Sequence, residues 1–253
     1  MAQYDLEIFQ RDLEAFGIAL SGEQTGQFLR YYELLLEWNG RMNLTAITEY
    51  QEVLKKHFVD SLSLVKVCRP ARGDTLIDVG TGAGFPGLAL KIAFPGLKVT
   101  LLDSLNKRIQ FLNAVIEELK LTDVEAVHGR AEDYAAPGRG RETFDFCVSR
   151  AVAHLSTLSE YCLPFVKKGG QFIAYKSEKG PGEVADAQKA ISVLGGRVRE
   201  SVEFTLPDSD IHRNLVVVEK VQKTPAKYPR KAGLPSREPI RETGKKPERQ
   251  GAS

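Results

Sequence analysis

Only three cysteines occur in the 253-residue chain. Cys68, Cys147 and Cys162 are odd in number, scattered and never in a C-x-x-C pair. That argues against a disulfide framework or a zinc ribbon, and for free thiols in a reducing compartment. No apolar run approaches the roughly 20 residues that a bilayer span requires. The N-terminal stretch MAQYDLEIFQRDLEAF lacks the basic-then-apolar order of a secretion signal, so the expected location is cytoplasmic. Neither sign of charge dominates, the formal net charge being +2. That balance is uneven along the chain: Lys220 to Ser253 holds ten Lys/Arg against three Glu, a net +7, which leaves −5 for everything before it. A slightly acidic body therefore carries a basic tail, which is either simply solvated or attracts a phosphate-rich partner through counterion release.

What is present is the composition of a soluble globular protein, 42% hydrophobic and 27% charged, long enough for one full domain plus an extension or a small second one. The stretch TLIDVGTGAGFPG, Thr75 to Gly87, organises it. An apolar run ends at Asp78 and Val79 and opens into glycines ahead of a helix-forming segment, which reads as a strand, a nucleoside-binding turn and a helix start. Without Cβ atoms, Gly80, Gly82 and Gly84 allow positive φ and close approach of a flat ligand to the main chain. Pro86 suits the start of the following helix, where a missing N–H costs little. Gly82, Gly84 and Gly87 also satisfy the dinucleotide fingerprint G-x-G-x-x-G, so a nicotinamide-dependent oxidoreductase is a competing reading. Counted from Gly80, which directly follows the strand, the register is G-x-G-x-G, with Phe85 in place of the third dinucleotide glycine. A glycine turn with no ligand is the bland alternative.

Residues 3 to 66 read as helical. Leu6, Phe9, Leu13 and Phe16 recur at helical spacing, Gly17 stops that helix, and Ser21 caps a second one. The pattern breaks after Trp38, where Asn39, Gly40 and Asn43 are turn formers and Thr45 or Thr48 can cap a third helix over 49–67. Asn39, Arg41, Asn43, His57 and Asp60 form a polar set denser than packing requires. From Gly73 onward strands alternate with helices: strands at 76–79, 98–102, 124–128, 144–148 and 171–176, with a polar loop after the third. Two further strands, 197–206 and 214–221, have no helix between them and imply an antiparallel hairpin at the sheet edge. The expected fold is a doubly wound α/β sheet of seven strands with an N-terminal helical extension. Its expected boundaries are a helical cap over 1–68, the nucleoside-binding domain over 69–221 and a mostly irregular basic tail over 222–253. There is no room for the second mononucleotide half and catalytic domain that a dehydrogenase brings.

Ligands of such sheets sit outside the carboxyl ends of the strands. Asp103 ends the second strand, where an acid can accept hydrogen bonds from ribose hydroxyls. Ala131 and Glu132 follow the third strand and are placed to read an adenine edge through a backbone N–H or a carboxylate, with Asp133 competing. Arg150, after the fourth, reaches the pocket floor.

The motifs WNGRMNLTAIT, HFVDSL, LIDVGTGAGFPGL, GRAED, SRAVA and HRNLVVVEK occur in this order. Together they resemble the RsmG family, also called GidB or glucose-inhibited division protein B, from about residue 30 to the tail. The resemblance implies a class I methyltransferase (Rossmann-like) fold and S-adenosylmethionine-dependent N7 methylation of a guanine in bacterial 16S ribosomal RNA. The implied cofactor positions are Gly80, Phe85, the segment Asp103-Ser104-Leu105, Ala131, Glu132 and Arg150, alongside Gly82 and Gly84 from the turn. The implied partner is 16S ribosomal RNA or the small subunit, with a monomeric enzyme and neither metal nor membrane. A non-catalytic RNA-binding protein with a retained nucleoside pocket is the alternative outside enzymes.

The residues agree with that chemistry. SRAV stands where exocyclic-amine methyltransferases show N/D-P-P-Y/F. Cys147 lies inside a strand with no preceding proline and does not fit a cysteine nucleophile. Guanine N7 presents a lone pair and needs no base, so Arg150 is expected to orient the base or the cofactor carboxylate. Asn43, His57 and Lys176 are substrate-side candidates, although an isolated helical His is more often a packing residue. Lys176, Lys179, Arg230, Lys231, Arg237 and Arg241 are candidate phosphate contacts.

Overall fold

The computed structural model describes residues 4–177 and 180–241. Lys179 and the tail beyond Arg241 lie outside them. The helical N-terminus opens with α1 (Glu7–Ala15) and α2 (Gly22–Met42). Ser21 caps α2 in a reciprocal box: its hydroxyl accepts the Gln24 N–H at 3.2 Å, while Gln24 Oε1 accepts the Ser21 N–H at 2.8 Å, an arrangement worth about 1 kcal/mol. The Gln24 amide also donates to the carbonyls of Ile92 and Ala93, at 2.8 and 3.1 Å, which ties this cap to the helix behind the glycine turn.

The expected break after Trp38 comes four residues later. Asn39 and Gly40 continue the helix, and Asn43 ends it in the left-handed region at φ 51°, where a short polar side chain is tolerated. Asn39 still shapes the turn, since its Oδ1 accepts the Thr45 N–H at 2.9 Å. Glu49, rather than either threonine, caps the third helical segment by accepting the Glu52 N–H at 2.8 Å. That segment is composite: α3 (Tyr50–Val53), a π-helical stretch (Leu54–Val59), α4 (Asp60–Leu62) and a 3-10 turn (Ser63–Lys66).

Seven strands complete the domain: β1 (Thr75–Val79), β2 (Lys98–Asp103), β3 (Val124–His128), β4 (Phe144–Arg150), β5 (Val166–Lys176), β6 (Gly196–Thr205) and β7 (His212–Lys220). They form one sheet in the order β3-β2-β1-β4-β5-β7-β6. The first five are parallel, and β7 runs antiparallel to both β5 and β6. The crossovers carry α5 (Gly87–Ala93), α6 (Asn106–Glu118), the single turn α7 (Ala131–Tyr134), α8 (Leu155–Cys162) and α9 (Gly180–Val193). The turn α7 falls where the sequence predicts a polar loop, because the four residues AEDY leave no periodicity to read.

One face of the sheet packs on α5, α6 and the N-terminal helices in a continuous core that runs from Phe9, Phe28 and Phe58 to Leu76, Val99 and Phe111. The other face packs Ile77, Cys147 and Phe172 against Leu158, Cys162 and Ile191. Each of these large apolar side chains contributes about 1.5–3 kcal/mol by leaving water. Residues 222–241 are irregular except for α10 (Leu234–Arg237), yet they lie against the body: Tyr228 and Ile240 pack on the second core, and Arg141 donates to the carbonyls of Thr224 and Tyr228 at 2.7 and 2.8 Å.

Candidate active site

The sheet order reverses between β1 and β4, so crossovers leave in opposite directions and a crevice opens at the strand ends. A cleft of about 520 Å³ lies there, a size suited to a nucleoside. Gly80, Gly82 and Gly84 have φ of 71°, 62° and 94°. A Cβ on Gly82 would meet nothing within 4 Å, whereas one on Gly80 would strike Val152 Cγ2 at 2.6 Å. Both border the cleft. Gly84 does not: its missing Cβ makes room for Leu88 and the Tyr31 hydroxyl, which places it in the core. Under the turn, fully buried Asp78 accepts the Thr81 hydroxyl at 2.7 Å and the Gly87 N–H at 2.8 Å on Oδ2. Its Oδ1 has no partner. Burial pushes this carboxyl up to about 6 against the pull of those two hydrogen bonds.

Asp103 is 2% exposed. Its Oδ2 accepts the Gly82 N–H at 2.9 Å and Arg108 Nη1 at 3.1 Å, and its Oδ1 accepts the Leu105 N–H at 2.9 Å. A carboxylate offers about four lone-pair sites. One therefore stays free for a hydroxyl, and a second opens if half-exposed Arg108 swings away. Ser104 lines the cleft, while Leu105 is 43% exposed and lies outside its lining. Ala131 and Glu132 line it at the start of α7, where the first N–H groups of a helix have no carbonyl of the preceding turn to donate to. Exposed Asp133 does not.

Across the cleft, Phe85 stacks on Tyr31 (centroids 5.3 Å, 26°) and on His57 (4.6 Å, 18°), and the Arg150 guanidinium carbon lies 5.3 Å from its ring centre. Arg150 donates to Asp60 Oδ2 at 3.0 Å and to the Lys56 carbonyl at 3.2 Å. Asp60 holds Arg213 Nε on its other oxygen, also at 3.0 Å. The π-helical stretch carries His57 and runs straight into Asp60, and such wide turns recur at functional sites. His57 Nε2 pairs with Thr45 Oγ1 at 2.9 Å, and Nδ1 is buried without a partner. Burial and the Arg150 charge lower its pKa to about 4, so the ring is neutral at pH 7.

Asn43 and Lys176 lie outside the lining. The left-handed turn at Asn43 delivers Leu44 and Thr45 to the cleft in its place. Lys176 is spent on Glu183 and the Ala153 carbonyl, each at 2.7 Å, and so underpins the segment Ala151–Ala153, of which Ala151 and Val152 line the cleft. Ala151 holds φ 57°, a conformation no alanine advertises in a sequence. Thr45, Arg108, Arg130 and Tyr161 also line the cleft, and sequence reasoning misses them as ligand residues; their position after strands or on neighbouring helices is the only available signal. Cys147 is fully buried and its thiol is pushed well up by that burial, unfit for a nucleophile. Among the described residues no group of three or more His, Cys, Asp or Glu could hold a metal ion, and no helix is long and apolar enough to cross a membrane.

Solved structures share the fold. A chain from the Haloferax volcanii complex of the Trm112 methyltransferase activator with a methyltransferase superposes with a TM-score of 0.56 at 16% identity, over 74% of this chain and 97% of that one. A SAM-dependent methyltransferase from Aquifex aeolicus gives 0.50 at 20% identity, over 67% and 93%. Sequence relatives are much nearer. The ribosomal RNA small subunit methyltransferase G of Lachnoclostridium phytofermentans is 54% identical over 236 residues, 93% of this chain and 98% of its own. That of Alkaliphilus metalliredigens is 53% identical over 234 residues, 92% and 98%. The family model GidB, described as rRNA small subunit methyltransferase G, matches residues 24–216. With that span and those identities on a class I methyltransferase sheet, the chain belongs to the GidB family of small-subunit ribosomal RNA methyltransferases.

Proposed function

We propose that this protein transfers a methyl group from S-adenosylmethionine to N7 of a guanine in small-subunit ribosomal RNA, acting as a cytoplasmic monomer. When bound, the sulfonium compound supplies an electrophilic methyl group. Gly80 and Gly82 would let it lie on bare main chain, Asp103 would accept its sugar hydroxyls, and Ala131 with Glu132 would meet the adenine edge. The helical N-terminus and Arg150 would face the incoming base, with Arg150 steered by Asp60 and by the Phe85 ring.

The observation that carries this reading is a pocket built for position rather than for proton transfer. His57, the cleft residue nearest in type to a general base, has a pKa of about 4 and spends Nε2 on Thr45. A group so weakly basic is a poor proton acceptor at neutral pH, and an attacking N7 lone pair has no proton to lose. Orientation and exclusion of water then supply the acceleration. The test is transfer of labelled methyl to ribosomal RNA from cells lacking the family's enzyme, followed by nucleoside mapping. Label on a guanine N7 of the small-subunit RNA is expected; label on another atom, or on the large-subunit RNA alone, refutes the proposal.

A further inference from the structure

Read as sequence, the basic tail is either simply solvated or an arm for phosphates. In the structure Arg230, the first of its candidate phosphate contacts, is not free. Arg230 forks onto Glu160, Nε lying 2.9 and 3.2 Å from the two carboxylate oxygens and Nη2 2.7 Å from Oε2, while its backbone N–H reaches Oε1 at 2.8 Å. Glu160 is 1% exposed, and a buried carboxylate is tolerable only with such a partner. Arg230 Nη2 also donates to the Glu238 carbonyl at 2.8 Å, which closes the segment into a loop. Inside that loop the Gly233 N–H donates to Glu132 Oε1 at 2.9 Å, and the buried Thr157 hydroxyl donates to the Pro235 carbonyl at 3.2 Å. Ser236 lies beside the Tyr161 hydroxyl. Glu132 and Tyr161 both line the cleft.

We infer that residues 228–238 are a strap that sets the adenine end of the cofactor cleft, with Arg230 and Gly233 as positioning residues acting through Glu132. The inference rests on the cofactor reading above and deepens it. With Oε1 held by a backbone N–H, the Glu132 carboxylate keeps Oε2 for an exocyclic amine, and its rotamer is fixed before any ligand arrives. Gly233 suits this contact because its φ is 81°, a left-handed conformation that only glycine adopts without strain. The strap lies beyond residue 216, where the family model stops. Lys231 and Arg237 on the strap and Arg241 just beyond it are exposed.

The experiment titrates the full-length protein with S-adenosylhomocysteine by calorimetry. Arg230→Ala and Gly233→Ala are each made in the wild-type and in the Glu132→Ala background. In the wild-type background each variant should raise Kd about five- to tenfold, the effect of freeing one side chain. In the Glu132→Ala background the same change should fall below about twofold, because the strap then has nothing to position. Turnover at saturating cofactor, the KM for RNA and its salt dependence should stay within about twofold of wild type. Equal losses in both backgrounds would mean general loosening and would overturn the inference. So would an unchanged Kd with weakened, less salt-dependent RNA binding, which would make the segment an RNA contact. If Arg230→Ala fails to fold, Gly233→Ala decides, since an added Cβ there meets nothing nearer than 3.8 Å and leaves the ion pair intact. A wild-type protein that does not bind S-adenosylhomocysteine would instead sink the cofactor reading itself.

Discussion

Replacing Arg150 with methionine keeps an unbranched stem beside Phe85 and removes the guanidinium. Two bonds go with it, to Asp60 at 3.0 Å and to the Lys56 carbonyl at 3.2 Å. Asp60 is 3% exposed, and stripping a buried carboxylate of its partner costs about 3–5 kcal/mol. Here Arg213 stays on the other oxygen at 3.0 Å, which reduces the expected loss of stability to about 2 kcal/mol. The larger effect is on the reaction: a misoriented base should lower single-turnover transfer about a hundredfold, equivalent to about 2.7 kcal/mol of barrier. A third readout reports on the site alone. Arg150 is the second cause, after burial, of the low His57 pKa of about 4. The variant should therefore show His57 titrating higher by NMR, still below the ordinary value of 6.5 because the ring stays buried. Between about 4 and 6.5 the unfolded chain carries a proton that native His57 refuses, so stability falls as pH drops through that window. In the variant the window shortens at its acid end. An unchanged transfer rate together with unchanged cofactor affinity would reduce Arg150 to a structural residue and refute the reasoning.

Two further outcomes are expected. Native Asp78 titrates near 6 against an ordinary 3.8, so the folded state holds the extra proton between those values and stability falls by about 3 kcal/mol as pH rises through them. Asp78→Asn keeps an oxygen for Thr81 and Gly87 and should flatten that slope in urea titrations; at pH 7.5 it escapes that loss but buries an amide NH2 where Oδ1 has no partner, at a cost of about 1–3 kcal/mol, and an unaltered slope would refute the assignment. Gly84→Ala forces a side chain to φ 94° and drives a Cβ toward Leu88 Cδ1 at 2.6 Å and the Tyr31 hydroxyl. It should lower stability by about 3 kcal/mol in thermal unfolding, with the cofactor KM nearly unchanged below the transition, and a variant as stable as wild type would contradict the packing role.

The seven strands were legible because most are short apolar runs ended by a turn former, and the helix-free link at Pro207 to Asp210 marked the antiparallel hairpin; their order in the sheet came only with the structure. The cleft lining was legible where it follows a strand end, as at Gly80, Asp103 and Arg150. It was illegible where position depends on backbone conformation: Ala151 at φ 57° and the π-helical stretch that carries His57 leave no trace in residue type. Charge misled most. Lys176 and Arg230 have the look of solvent-facing phosphate ligands, yet each is taken by a carboxylate, Lys176 by Glu183 at the start of the next helix and Arg230 by Glu160 far back along the chain, and neither pairing shows in residue type.

The Tyr31 ring of α2 lies flat on Phe85, and its hydroxyl donates to the Ala83 carbonyl inside the glycine turn. A splice in the loop near residue 68 would thus cut between two halves of a single floor. Chimaeras built from two relatives should inherit α2 and the glycine turn from the same parent, and a sheet expressed without its first helices would leave the Phe85 ring with nothing behind it.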